Sequence, residues 1–235
     1  MASTMKKSFE KPPAVSRREQ NKADTRRRIL AAASRLMAVS GTETRVEAIA
    51  AAAEVSRATF FNYFPNKGAV VAALVAKADH DFATTIDQER RRAASTAARL
   101  ERLFVQTAVR LQSRPAFHKL ILKEAERGYS AIRPGNQRFS RMLQVLRELL
   151  ADGVARGEVR TDCSLDIIAE IVGGTYVALL HNWRISKDYP LEARMKASAR
   201  FLADAIAPLQ TRKIAAPRRA ENGKGSRRAR KKRSE

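Results

Sequence analysis

The sequence predicts an all-α protein, and three observations carry that expectation. Apolar residues recur at three- and four-residue spacing along most of the chain, the signature of helices with one buried face. No stretch shows the two-residue alternation of a half-buried strand. Proline and glycine punctuate the periodic stretches, as at Pro65, Pro115 and the Arg133-Pro134-Gly135 turn.

The first helix is marked by Ile29, Ala33, Leu36 and Met37 at the spacing of a buried stripe, with Gly41 just beyond its end. Thr44 followed three residues later by Glu47 predicts a capping box opening a second helix, with Val46, Ile49, Ala50 and Ala53 on its inner face. Glu54-Val55 breaks that run. Ser56 has the chemistry of another cap, so a third helix is expected from about Arg57. On it Phe60 and Phe64 face inward with Val55, leaving Arg57, Thr59, Asn62 and Tyr63 outside. Pro65 ends the helix by disfavouring helical backbone at the residue before it. Lys67 then stands in the first turn of a fourth helix, where backbone amides and a cation together can hold a phosphate. Two short helices meeting through a tight turn are helix-turn-helix geometry, a shape that enters the DNA major groove.

Ile49-Ala50, Ala53-Glu54-Val55-Ser56 and the run from Thr59 to Lys67 closely resemble the DNA-binding domain of the tetracycline-repressor (TetR) family, over roughly Thr25 to Leu74. The resemblance implies a three-helix DNA-binding domain at residues 22–68, with its helix-turn-helix from Arg45 to Phe64. Arg57, Thr59 and Asn62 would face base edges, Ala58 a thymine methyl, and Tyr63 and Lys67 phosphates. Four positions leave the family pattern. Arg45 stands where Ser or Thr is usual and would add a phosphate contact. Glu54 replaces the common turn glycine, at a cost on the order of 1 kcal/mol if its φ is positive. Phe61 replaces a tyrosine and lacks its donor, and Gly68 replaces a glutamate that would favour a helix start.

Behind the head, Val71, Leu74, Val75, Ala78, Phe82 and Ile86 form one stripe of a long helix running to about Arg91. Further stripes at Leu100–Leu111, Phe117–Glu126 and Phe139–Val154 are enough for a second core, in a domain spanning 69–210. The helix from about Leu165 to Ile185 is apolar around most of its circumference, and Gly173-Gly174 permits close backbone approach. Met195, Ala199, Leu202, Ile206 and Leu209 are spaced four, three, four, three, as in a seam packed along another helix. The spacing fits a partner chain and an internal core equally; the family resemblance implies a homodimer, with the last two helices forming a four-helix bundle with their twins. Tyr176, His181, Asn182 and Trp183 fit the wall of an effector pocket, and equally a dimer interface.

The chain of 235 residues has 46 Lys or Arg against 24 Asp or Glu, a net charge of +22 that points to nucleic acid rather than membrane. Residues 211–235 hold eleven Lys or Arg against two Glu, a net +9, and read as a disordered basic tail; residues 1–21 read as a disordered arm. The longest apolar stretch, Leu165 to Leu180, is interrupted by Asp166 and Glu170 and is too short to span a bilayer. Cys163 is the sole cysteine, and His80, His118 and His181 are too scattered for a metal site. With no catalytic motif, no cofactor or enzyme activity is expected, and the absence of a secretory pattern implies a cytoplasmic protein. The expected function is a homodimeric transcription regulator on a palindromic double-stranded DNA operator, released by an unknown small-molecule effector. Its action as a repressor follows from the resemblance alone. The alternative is a nucleoid-type structural protein acting through charge.

Overall fold

The computed structural model describes residues 16–130 and 137–209. Among them the chain forms nine α-helices and no strand: α1 (Arg17–Ser40), α2 (Val46–Ala52), α3 (Arg57–Tyr63), α4 (Lys67–Arg90), α5 (Thr96–Ser113), α6 (Pro115–Ser130), α7 (Gln137–Ala155), α8 (Leu165–Ile185) and α9 (Leu191–Ile206). The basic tail and most of the N-terminal arm lie outside the described residues, as does the Arg133-Pro134-Gly135 turn.

Helix starts are set by side-chain caps. Ser56, Asn66, Ser95 and Ser164 each accept a backbone N–H from three residues on, satisfying a donor the helix leaves unpaired. Two starts differ from expectation. Ser16 forms a full capping box with Glu19, so α1 begins within the segment expected to be a disordered arm. Thr44 does not cap α2: its buried hydroxyl donates to the Gly41 carbonyl at 3.0 Å, within a 3-10 turn over Gly41–Glu43. Arg45 takes the N-cap position of α2 in extended backbone, with no side-chain cap. The turn after α2 carries Glu54 at φ +54°, the left-handed conformation in which glycine is favoured.

Two cores result. In the head, Ile29, Ala33 and Met37 of α1 meet Ile49 and Ala50 of α2, Phe60 of α3, and Val70, Val71 and Leu74 of α4. Phe117, Leu120 and Ile121 of α6 belong to the same cluster, so a helix of the second domain closes the head's core. The second core gathers Ile86 of α4, Leu103 and Phe104 of α5, Leu146, Leu149 and Leu150 of α7, and the inner faces of α8 and α9. Thus α4 contributes to both cores. Its far end is tied to α7, where Arg90 lies 2.6 Å from Glu148 and 2.7 Å from Asp152.

The predicted seam on α9 is buried inside the chain. Met195, Ala199, Leu202 and Ile206 are at most 6% exposed and pack in the second core, where α9 lies along α5. A four-three apolar spacing is satisfied by any helix alongside, and here that helix is α5. Leu209 lies past the end of α9 and is exposed. The apolar surface left open lies elsewhere: Ile167, Ile171, Ala178 and Ile185 on α8, with Phe201 on α9. Of the two glycines, Gly173 is the one at a close approach, since a Cβ there would come within 2.8 Å of Leu143 on α7; Gly174 faces open space.

Candidate nucleic-acid interface and ligand groove

The recognition surface is assembled from three helix starts. Ser56 begins α3 by accepting from the Thr59 amide at 3.0 Å, and Pro65 ends it after Phe64 has turned to extended backbone. Between these stops Phe60 and Phe64 are buried with ring centroids 6.1 Å apart, which fixes the helix's rotation. Arg57, Ala58 and Asn62 are consequently exposed. Thr59 and Tyr63 are half-buried: the Thr59 hydroxyl lies 2.8 Å from that of Ser56, and Tyr63 packs on the head's core.

Arg45, Arg57 and Lys67 come together around a hollow of about 330 Å³, with Phe61 as part of its wall and Glu43 and Glu47 as its acidic members. Arg57 is 3.4 Å from Glu47, and its guanidinium lies 5.7 Å from the centroid of the Phe61 ring. Lys67 donates to the Thr44 carbonyl at 3.3 Å, reaching back to the loop before α2. Phe61 therefore has a role despite lacking a tyrosine hydroxyl: it supports Arg57. A cationic hollow beside an exposed polar helix face has the chemistry to take phosphate oxygens.

A larger groove of about 1540 Å³ lies between the head and the second domain, lined from α1, α4, α5, α6, α7 and α8. Of the four predicted effector residues only Tyr176 lines it. Its hydroxyl is 3.2 Å from that of Thr107, and its ring stacks near Phe82 and Phe104 at 5.1 and 5.4 Å. Trp183 lies on the same side of α8 two turns on, roughly 10 Å further along the axis, and is buried in the second core under Lys119. His181 and Asn182 are exposed, and His181 pairs with Glu126 at 3.1 Å. Glu126 also receives Arg184; burial pushes its carboxyl up, but the hydrogen bonds from Arg184 and His181 outweigh that and hold it low. The groove residues not expected at an effector site include Phe117, His118 and Met142. Phe117 and Met142 carried a sequence signal only as parts of apolar stripes.

This is the fold of a helix-turn-helix DNA-binding regulator, a three-helix reading head in front of an α-helical domain. Residues 29–74, the reading head and the start of α4, match the family described as bacterial regulatory proteins, tetR family. Solved structures agree in fold. A TetR-family transcriptional regulator from Pectobacterium atrosepticum superposes with a TM-score of 0.66 at 16% identity, covering 82% of this chain and 98% of that one. FadR of Thermus thermophilus, a TetR-family repressor in complex with lauroyl-CoA, gives 0.55 at 25% identity, covering 82% and 98%. SmeT, the repressor of a Stenotrophomonas maltophilia multidrug efflux pump, gives 0.62 at 19% identity in its triclosan complex, covering 78% and 91%. A search of curated protein sequences found no significant match. Among the described residues there is no grouping of three or more metal-ligating side chains, and no helix is long and apolar enough to cross a membrane.

Proposed function

We propose that the protein is a homodimeric repressor that covers a palindromic operator and leaves it when a small molecule occupies the groove between head and second domain. The groove's position carries this reading. Its walls include α1 of the head, α4, which enters both cores, and α6, whose Phe117, Leu120 and Ile121 help build the head's core. A ligand filling it therefore touches the elements that set the head's angle. By population shift it favours whichever spacing of two heads leaves the groove open, and that spacing cannot fit successive major grooves. The lauroyl-CoA and triclosan complexes of similarly folded proteins support a small-molecule effector. The open apolar face of α8 and α9, with Ile167, Ile171 and Phe201, supports dimerisation there in place of the buried α9 stripe.

Within the head, Arg57, Thr59 and Asn62 read bases, with Ala58 on a thymine methyl, while Arg45, Tyr63 and Lys67 hold phosphates. The test is a pair of substitutions measured by binding to a selected operator and to random duplex. Arg57→Ala is expected to lose about 1–3 kcal/mol on operator and little on random DNA, while Lys67→Ala weakens both alike. Equal losses from the two variants on both duplexes contradict these roles.

A further inference from the structure

The groove's lining is chemically divided. Its inner wall is apolar and aromatic, formed by Phe82, Met142, Val145, Tyr176, Val177 and Leu180, yet the whole lining carries nine Lys or Arg against four Asp or Glu. Part of that excess is paired. Arg138 lies 2.5 Å from Asp79, Arg27 3.0 Å from Asp24 and Arg28 3.6 Å from Glu54. Arg110, in the last turn of α5, and Arg114, its C-cap, both line the groove, and neither meets a carboxylate among the described residues. Arg114 turns across the seam instead, 3.3 Å from the Ser34 hydroxyl of α1 and 5.7 Å from the Phe117 ring centroid.

His118 lines the same groove, its Nδ1 3.0 Å from the Leu111 carbonyl. Burial first, and then the charges of Arg114 and Arg110, hold its imidazole below the usual histidine range, the two guanidiniums each adding a positive field at the ring. Low-dielectric walls focus such a field, and a guanidinium offers the planar fork that carboxylates and phosphates accept. An uncharged ligand would fill the chamber and leave this charge uncompensated.

We propose that the groove takes an anionic amphiphile, its apolar part in the chamber walled by Phe82, Tyr176 and Leu180 and its carboxylate or phosphate held by Arg110 and Arg114 at the seam with α1. The proposal rests on reading the groove as the effector site and names the chemistry of its ligand. It also gives the ligand's charge a regulatory place, because the seam joins α5 to Ser34 on the head.

Calorimetric titration of the full-length protein tests it with dodecanoate, dodecyl phosphate and dodecan-1-ol, each kept monomeric, and with inorganic phosphate. The first two probes separate a carboxylate head group from a phosphate one. At least one anionic chain is expected to bind tenfold or more tightly than dodecan-1-ol, with no binding of inorganic phosphate. The Arg110→Ala, Arg114→Ala double variant, altered at two exposed positions, should lose that preference and keep its dodecan-1-ol affinity. Leu180→Trp, which fills the chamber, should weaken all three chains. Equal binding of alcohol and anions, anion affinity unchanged in the double variant, or no binding by either anionic chain each overturns the proposal. Selective anion binding that leaves operator affinity unchanged supports the ligand class and overturns release. Operator release by an uncharged compound, with neither anion bound, does the reverse.

Discussion

In the reading head the chemistry sits outside a seven-residue helix and is placed by residues next to it in the chain: Ser56 starts α3, Phe60 and Phe64 fix its rotation, and Pro65 stops it. In the domain behind it the chemistry sits inside, and a single wall of the groove combines Phe82, Met142 and Leu180 from three different helices. The first arrangement tolerates drift in the rest of the molecule; the second is defined only once the helices have packed. A recognition surface can therefore stay recognisable in sequence while the ligand site behind it varies.

The largest effect that sharpens this contrast is expected from Phe60→Ala. The ring is fully buried, and its removal should cost about 3–5 kcal/mol, a large part of a domain's stability. Thermal unfolding should show an early transition for the head, with operator binding lost and the second domain still folded. A single shifted transition for the whole chain would mean that α4 and α6 merge the two cores into one cooperative unit.

A smaller effect, confined to the second domain, is expected at Glu158. Burial pushes its carboxyl up, but hydrogen bonds from Arg156 and from the Thr96 side chain and backbone N–H prevail and hold it at about 2, against an ordinary 4.5. A carboxyl depressed in the folded state contributes stability above its unfolded value and loses it as pH falls toward the folded value. Glu158→Gln should therefore cost about 2 kcal/mol at neutral pH, with the gap to the parent protein closing between pH 4.5 and 2. Denaturant melts across that range measure it, and a gap independent of pH would deny the charge its role.

The smallest effect returns to the head. Glu54→Gly should stabilise by roughly 1 kcal/mol, because it relieves a positive φ at a residue with a Cβ. The exposed Arg28 partner at 3.6 Å forfeits little in exchange. A melting temperature unchanged or lowered would show that the turn carries no strain.

Legibility in the sequence follows the same division. The recognition helix, the Ser56 cap, the Pro65 stop and the limits of α8 could all be read, because each is fixed within a turn or two of chain. The Ser16–Glu19 capping box was equally readable, and it lies inside the segment that composition alone assigns to a disordered arm. Thr44 matched a cap pattern and instead bonds to Gly41, a choice set by the 3-10 turn before it. The α9 stripe showed that a helix lies alongside without saying which, and α5 filled that place. Trp183 and Tyr176 share a side of α8, yet the groove ends between them, and only packing decides where a groove ends.

The central claim is that Thr44 to Lys67 reads sequence and the chain does not bind DNA by charge alone. A salt titration of binding to a selected operator and to random duplex, by the full chain and by a form ending at residue 209, tests it most directly. The account predicts that the operator-to-random ratio survives truncation, even if affinity and the salt slope fall. A ratio that collapses to one when residues 210–235 are removed would contradict it.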